Sequence, residues 1–599
     1  MEGKNLKKRE EIPEKYKWCL EEIYPDDRIW EQDFAKITEM LPLVERFKNK
    51  LGESPENLLQ CLKLQDELGQ LADKVFVYAQ MRKDENNANP KYQGMKDRAQ
   101  GMMVRLGEAV SFIQPEILAI DSLRLEDFLR REPGLALYKT YLDEITRMKE
   151  HTLSAREEEI IAMSGEMAEG PKNIFSMLNN ADIKFPEITD EDGDRVPLTH
   201  GSYLKFMESD DRRVRMDAFY GLYHTYGKQR NTLAALLNAS VKKDIFYARV
   251  HKYGSALEAS LHEDNVPVSV YDNLIQTVRS HLHIFYRYVA LRKKLLGVPE
   301  LHMYDIYAPL VKEIKTKVPY EEAVQMVEKG LAPLGETYLA DLKKGLESRW
   351  VDVMENEGKT PGAYSWGAYG THPYVLLNYQ NNLDNVFTLA HEMGHSMHSY
   401  YSWQTQPYIY SYYKIFVAEV ASTVNETLLT RYLLAHAPDE KHKLYLINHY
   451  LEEFRGTVFR QTMFAEFEKI IHEKAERGEP LTTDALCEIY YNLNKDYYGP
   501  EMVVDEEIAL EWARIPHFYN AFYVYKYATG FSAASALAQG ILEEGKPAVD
   551  RYLEFLKGGS SDYPINLLQK AGVDMNQPQP VVQALKFFEE MLAEMEKSL

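Results

Sequence analysis

The chain has 599 residues, of which 45% are hydrophobic and 27% are charged, as in a globular protein. Its formal net charge of −22 argues against nucleic acid as a partner, because phosphate contacts require a basic surface. No apolar run approaches the roughly 18–20 residues of a membrane span, and the N-terminal residues show no signal-peptide core. Cys19, Cys61 and Cys487 lie far apart, which predicts a reducing compartment without a disulfide framework. We therefore expect a cytoplasmic protein with no membrane partner.

Helical patterns dominate the chain. Residues from about 55 to 180 carry apolar side chains at helical spacing, with abundant Leu, Met, Ala, Glu and Lys, and the pattern continues through Val268–Leu296. Between these regions, Ile183–Thr189 and Arg195–Leu198 flank an Asp-Gly turn dipeptide, which predicts a β-hairpin. We expect a mainly α-helical fold and place a domain boundary at this hairpin, between regions 1–200 and 201–599.

A loop and a strand are predicted in the middle of the chain. Three glycines within Gly362–Gly370 mark a loop, and the short, β-prone run Pro373–Tyr379 predicts a strand. This strand could serve only the fold, or it could pair with an extended peptide.

The most informative stretch follows this strand and reads His391-Glu392-Met393-Gly394-His395. On a helix, residues i and i+4 share one face, so both imidazoles can reach one ion. Zinc accepts imidazole nitrogen at about 2.0–2.1 Å and prefers four ligands, and the intervening glutamate can accept a proton from a metal-bound water. The motif predicts a zinc hydrolase, although so short a pattern also arises by chance on a solvated helix turn.

The residues around the motif favour a buried helix. Polar cap candidates precede it, and a second histidine stripe adds His398, which we interpret as a polar residue or as a group that orients a ligand. The apolar residues at helical spacing are Val386, Leu389, Ala390, Met393 and Met397.

A third zinc ligand is predicted downstream. Glu419, Ser422, Thr423 and Glu426 form a polar stripe on a helix that is otherwise apolar, which argues that the stripe is buried rather than an ordinary surface. A buried glutamate needs a cation or a partner. Glu419 is therefore the predicted third ligand, and Glu426 is predicted to orient one of the histidines.

These segments together resemble the M3 family of zinc oligopeptidases, in its oligoendopeptidase F branch. The resemblance rests on HEMGH, on Glu419 within F-V-A-E-V-A-S-T-V-N-E, on P-G-A-Y-S-W and P-Y-V-L-L-N-Y, and on His517–Gly530. It implies a mostly helical body split by a deep channel with one zinc ion per chain on its floor. It also implies short unstructured peptides as substrates, cleaved at internal bonds.

The aromatic segment near the C-terminus is predicted to support the reaction. Tyr519, Tyr523 and Tyr527 are spaced to lie on one helical face, which is more often packing than catalysis. His517 and Tyr527 nevertheless resemble the His and Tyr that related zinc peptidases use to stabilise an oxyanion. Tyr523 and Tyr525 are rival candidates for the tyrosine.

Two further functions compete with this prediction. One is a zinc exopeptidase, either a dipeptidyl carboxypeptidase or a relative of angiotensin-converting enzyme, and the other is a non-catalytic peptide-binding protein. Glu392 argues against a pure binder, which has no need of a base. Arg514 could bind a substrate carboxylate or form a structural ion pair. The sequence leaves the oligomeric state open.

Overall fold

The computed structural model describes residues 6–311 and 317–598, and helices dominate both ranges. The mainly α-helical prediction is confirmed. The helices in chain order are α1 Asp27–Glu45, α2 Pro55–Glu85, α3 Pro90–Val110, α4 Ile113–Ala119, α5 Ser122–Arg131, α6 Lys139–Thr146, α7 Ala155–Ala168, α8 Gly170–Met177, α9 His200–Met207, α10 Arg212–Gly227, α11 Arg230–Val250, α12 Ala256–His262, α13 Val268–Ser280, α14 Leu282–Leu296, α15 Tyr320–Gly330, α16 Gly335–Glu347, α17 Leu383–Thr405, α18 Val420–Ala435, α19 Glu440–Phe454, α20 Arg460–Glu476, α21 Thr483–Tyr498, α22 Tyr525–Glu544, α23 Lys546–Leu556, α24 Pro564–Lys570 and α25 Gln579–Lys597.

Short strands accompany the helices. They are β1 Glu187–Thr189, β2 Arg195–Pro197, β3 Leu301–His302, β4 Val351–Asp352, β5 Tyr364–Trp366, β6 Tyr374–Leu376 and β7 Met502–Val503. Strands β1 and β2 pair antiparallel, with Glu187 opposite Pro197, and Gly193 adopts a φ of 90° in the connecting turn. The predicted hairpin is therefore present.

Local sequence signals account for several helix ends. Ser54 accepts a hydrogen bond from the Asn57 amide at the start of α2, and Pro55 occupies the first helical position, where its missing N–H costs nothing. At the other end of a helix, Gly297 terminates α14 in the left-handed region, with a φ of 63°.

The chain forms two compact units, each assembled from separate stretches of sequence. The described residues of the first unit are 6–152, 317–432 and 537–572, and those of the second are 153–311, 433–536 and 573–598. The predicted boundary between regions 1–200 and 201–599 is a single point in the sequence, whereas each compact unit combines several stretches. The boundary therefore stays a prediction.

The first unit has a hydrophobic core built largely by its N-terminal helices. Trp18, Trp30, Tyr78 and Tyr138 are almost completely buried there, and the Trp30 indole N–H donates to the carbonyl oxygen of Val75 at 2.8 Å. Burial of such large rings, each with its polar atom paired, is a strong source of stability.

A three-stranded sheet in the first unit corrects one expectation. Strand β6 pairs in parallel with β4 and antiparallel with β5, so it is the central strand. Both of its edges are used by the protein itself, and it cannot also pair with an extended peptide as proposed for Pro373–Tyr379. The outer edges of this sheet belong to β4 and β5.

The second unit carries an aromatic core. The ring centroids of Phe285 and Phe459 lie 4.4 Å apart, and Phe588 packs against Phe454 at 4.8 Å. Within the described ranges, no helix is both long enough and apolar enough to cross a bilayer.

Candidate metal centre

Helix α17 positions the two histidines of the motif. Asn382 caps the helix by accepting a hydrogen bond from the Asn385 amide, and the predicted apolar stripe is fully buried. The Nε2 atoms of His391 and His395 face the same point and lie 3.1 Å apart. The spacing of four residues therefore brings both imidazoles to one site, as the motif predicts.

Glu419 reaches the same point from the start of α18. Its Oε2 lies 3.3 Å from the Nε2 of His391 and 3.5 Å from the Nε2 of His395. Around a tetrahedral zinc with bonds of about 2.0–2.1 Å, neighbouring ligand atoms lie about 3.3 Å apart. The three donor atoms thus have the spacing of three corners of such a tetrahedron, and these residues could hold a metal ion.

The burial predicted for Glu419 is wrong. Its side chain is 48% exposed, because Glu419 precedes helix α18 instead of lying within it. A short 3₁₀ turn, Ile415–Val417, comes before it, and the Glu419 carbonyl accepts the Thr423 amide at 3.0 Å. The carboxylate is therefore open to solvent.

A second carboxylate fixes the ring of His391. The Oε1 of Glu426 lies 3.1 Å from the Nδ1 of His391, so the Nε2 is left to face Glu419. Burial alone would lower the pKa of His391, but Glu419 and Glu426 raise it to about 11. The same contacts with the two imidazoles lower the pKa of Glu419. The donor set therefore strongly favours positive charge between these side chains, which suits a divalent cation.

Close packing of two helices holds this geometry. A Cβ on Gly394 would lie 2.5 Å from the Cα of Ser422, so only glycine permits α18 to approach α17 here. The buried Asn425 donates to the carbonyl oxygen of Ala390 at 3.0 Å and accepts from Tyr338 at 3.1 Å. The sequence analysis did not identify a role for Gly394 or Asn425, although a glycine inside a helix that carries two candidate metal ligands is a signal for close approach.

The base candidate and the extra histidine are both buried. Glu392 is 7% exposed, and burial raises the pKa of its carboxyl group. His398 is 1% exposed and stacks on Tyr413 with ring centroids 3.7 Å apart. Burial lowers its pKa to about 3, so its ring is neutral and packs in the interior.

The remaining predicted residues lie in the second unit. The ring centroid of His517 is 6.1 Å from that of Tyr527 and 6.4 Å from that of Tyr523. Tyr525 is instead completely buried, with its ring 5.0 Å from that of Tyr271. The structure thus brings His517, Tyr523 and Tyr527 together and directs Tyr525 into the core.

The predicted tyrosine stripe on one helix is wrong. Tyr519 belongs to a 3₁₀ turn, Pro516–Tyr519, whereas α22 begins only at Tyr525. Phe522 interrupts the helical path with a φ of 58°, in the left-handed region. Nearby, Arg514 donates to Glu511 at 2.8 Å, which favours the structural ion pair over a free carboxylate binder.

Comparison with known proteins shows which family this chain resembles. A sequence model of peptidase family M3 matches residues 205–587, and a model described as oligopeptidase F matches residues 116–185. The oligopeptidase PepF of Bacillus subtilis is 53% identical over 594 residues, covering 99% of this chain and 89% of the relative.

Solved structures give the same result. A crystal structure of a protein from Chlamydophila abortus has a TM-score of 0.95 and 36% identity, covering 99% of this chain and 100% of that one. The oligoendopeptidase F of Enterococcus faecium has a TM-score of 0.74 and 40% identity, with 96% and 99% covered. The chain therefore belongs to peptidase family M3, in its oligoendopeptidase F branch.

Proposed function

We propose that this chain hydrolyses internal bonds of short unstructured peptides with one zinc ion, held by His391, His395 and Glu419. The observation that carries the proposal is the set of three donor atoms 3.1–3.5 Å apart, beside a buried glutamate of the same motif. Family membership supports a metallopeptidase, and peptides as its substrates.

The side chains divide the reaction between them. When bound, zinc would supply the Lewis acidity that polarises the scissile carbonyl and makes water a nucleophile at neutral pH. Glu392 takes the proton of the attacking water and delivers it to the leaving amine. Its pKa, raised by burial, suits a group that must both accept and release a proton. Glu426 holds the Nδ1 of His391, which keeps the Nε2 aimed at the site.

His517 and Tyr527 are proposed as donors to the oxyanion. Burial and the charge of Arg460 lower the pKa of His517, so a neutral imidazole with one N–H is available at neutral pH. Tyr523 is the rival tyrosine, since its ring also lies beside His517. The burial of Tyr525 argues against it as the donor.

The proposed preference for short peptides rests on the free energy that a folded substrate protein must spend on unfolding. If the substrate must bind as an extended segment, a folded protein has to unfold at least locally to present one, and global unfolding costs roughly 5–15 kcal/mol. A short peptide bears no such cost. The relatives carry the names oligopeptidase and oligoendopeptidase F, which agrees with this preference. A cytoplasmic location remains part of the proposal.

One experiment separates this function from its alternatives. The purified protein is incubated with an intact folded protein and with the tryptic peptides of that protein, with and without a chelator, and products are identified by mass spectrometry. We expect cleavage of the peptides at internal bonds, restored by zinc after chelation. Release of C-terminal dipeptides alone would indicate an exopeptidase, binding without cleavage would indicate a peptide-binding protein, and equal cleavage of the folded protein would contradict the size preference.

A further inference from the structure

A small cavity in the second unit has a wall of unusual composition. Two arginines, one glutamate and several tyrosines line it, among them Tyr203, Tyr223 and Tyr307. The cavity offers about 10 Å³ to the centre of a bound water molecule. That is room for one water molecule or one monatomic ion, and too little for a peptide carboxylate or a sulfate.

The positive and negative charges of the side chains that line the cavity do not cancel. The Oε1 of Glu511 accepts from Arg460 at 2.7 Å and from Arg514 at 2.8 Å, and its Oε2 accepts from Tyr490 at 2.6 Å. Two guanidinium groups therefore share one carboxylate. Among the described residues that line the cavity no other acidic side chain occurs, so the wall carries one excess positive charge. The side chains of Arg460 and Arg514 are 19% and 21% exposed, so most of this charge is withdrawn from water, and withdrawing an unbalanced charge from water is costly.

A third arginine adds to this positive field. The Arg455 guanidinium lies 4.8 Å from the ring centroid of Tyr307. Its Nε and Nη2 bind Glu452 at 3.0 and 2.9 Å, and that carboxylate also binds Arg292. The Arg455 Nη1 is buried and has no hydrogen-bond partner among the described atoms.

The pKa of Tyr307 indicates that the electrostatic potential at the cavity is positive. Burial opposes ionisation of its hydroxyl, but Arg460, Arg455 and Arg514 lower its pKa below that of free tyrosine. A negative charge at this cavity is therefore stabilised by its surroundings.

We propose that the cavity binds a monatomic anion of the halide class, of which chloride is the abundant example. The guanidinium groups of Arg460 and Arg514 and the hydroxyl of Tyr307 are its donors. Water could make similar hydrogen bonds, but it would leave the excess charge of the wall uncompensated, whereas a halide ion removes it. Each guanidinium has five N–H donors, more than Glu511 can accept.

Bromide is the direct probe. Crystals of the wild-type protein soaked in sodium bromide should show an anomalous peak in the cavity, beside Arg460 and Arg514. In solution, sodium chloride should raise Tm saturably by about 1–2 °C relative to sodium gluconate at equal ionic strength, because gluconate is too large to enter. A cavity that shows no bromide, together with equal Tm in the two salts, would overturn the proposal.

Substitutions assign the effect to this cavity. Arg460→Gln leaves a neutral Arg514–Glu511 pair, so the variant should lose both the chloride-specific rise in Tm and the bromide peak. The matched control is Arg279→Gln in the same unit, where one arginine binds two carboxylates, Glu466 and Asp496. This control should keep the full response. An unchanged response in Arg460→Gln would contradict the assignment, and the wild-type bromide experiment decides the matter if that variant does not fold.

Discussion

Gly394 packs against the backbone of Ser422 so closely that no side chain fits between them. A Cβ on Gly394 would lie 2.5 Å from the Cα of Ser422 and 2.7 Å from the carbonyl oxygen of Ala421. Gly394 precedes His395 directly, and Ser422 donates to Glu419 Oε2 at 3.2 Å. The approach of these two helices therefore sets the distance between the histidines and the third candidate ligand.

Gly394→Ala should push the two helices apart. We expect it to lower zinc affinity at least tenfold and to destabilise the protein by about 1–3 kcal/mol, the usual cost of overpacking. Competition with a chelator and thermal unfolding measure the two effects. Gly107→Ala, on an open face of α3 with no atom nearby, is the control and should be neutral or slightly stabilising. Unchanged zinc affinity in Gly394→Ala would show that the contact does not set the geometry.

The two carboxylates near His391 should behave differently. Glu419→Ala removes a proposed ligand, so the protein should purify with little zinc. Glu426→Ala removes only the partner of the Nδ1 of His391, and we expect zinc affinity or activity to fall by about 10–100-fold. Metal analysis of both proteins tests this order. Full zinc occupancy in the Glu419 variant would assign the third ligand to another residue.

The fold class and the composition of the candidate site were predictable from the sequence because both depend on short-range patterns. The spacing of His391 and His395 needs only helical geometry, and the Asp-Gly turn needs only local backbone preferences. The exposure of Glu419 was not predictable, because the helix starts one residue later than the polar stripe suggests. The contact between Gly394 and Ser422 depends on tertiary packing, which no periodicity encodes.

The difference between local pattern and tertiary packing also explains why the predicted tyrosine stripe in the aromatic segment 517–530 was wrong. A helical stripe of Tyr519, Tyr523 and Tyr527 assumes continuous helix, and the left-handed conformation of Phe522 breaks that assumption. Non-glycine residues adopt this conformation rarely, and only the surrounding structure imposes it. The central position of β6 likewise depends on partner strands, β4 and β5, that local periodicity does not identify.

Tyr527→Phe should lower kcat by about 10²–10³-fold if this hydroxyl stabilises the oxyanion, with little change in KM or zinc content. Tyr525→Phe is the matched control, since that ring packs against Tyr271 in the core, and its kcat should stay near that of the wild type. If Tyr523→Phe instead shows the large loss, the role passes to Tyr523. Steady-state kinetics with one fluorogenic peptide compare all three.

Asp66 should make stability depend on pH. Burial raises the pKa of its carboxyl group from 3.8 to about 6, against the hydrogen bond donated by Tyr138. Because the folded pKa lies above the unfolded value, ionisation destabilises the folded state as pH rises from about 4 to above 6. Asp66→Asn removes this penalty of about 3 kcal/mol and keeps an acceptor for Tyr138. The Tm of Asp66→Asn should match that of the wild type at pH 4 and exceed it at pH 8.

The control is Asp97→Asn, at an exposed position, which should not show this change with pH. An equal Tm difference at both pH values would contradict the assignment.

The most direct test of the central claim is the activity of Glu392→Gln together with its zinc content. Glutamine keeps the size and burial of Glu392 but cannot accept the proton of the attacking water. We predict one zinc ion per chain, as in the wild type, and peptidase activity reduced by about 10²–10⁴-fold. A zinc-loaded Glu392→Gln protein with activity within a few-fold of the wild type would contradict this account of the site.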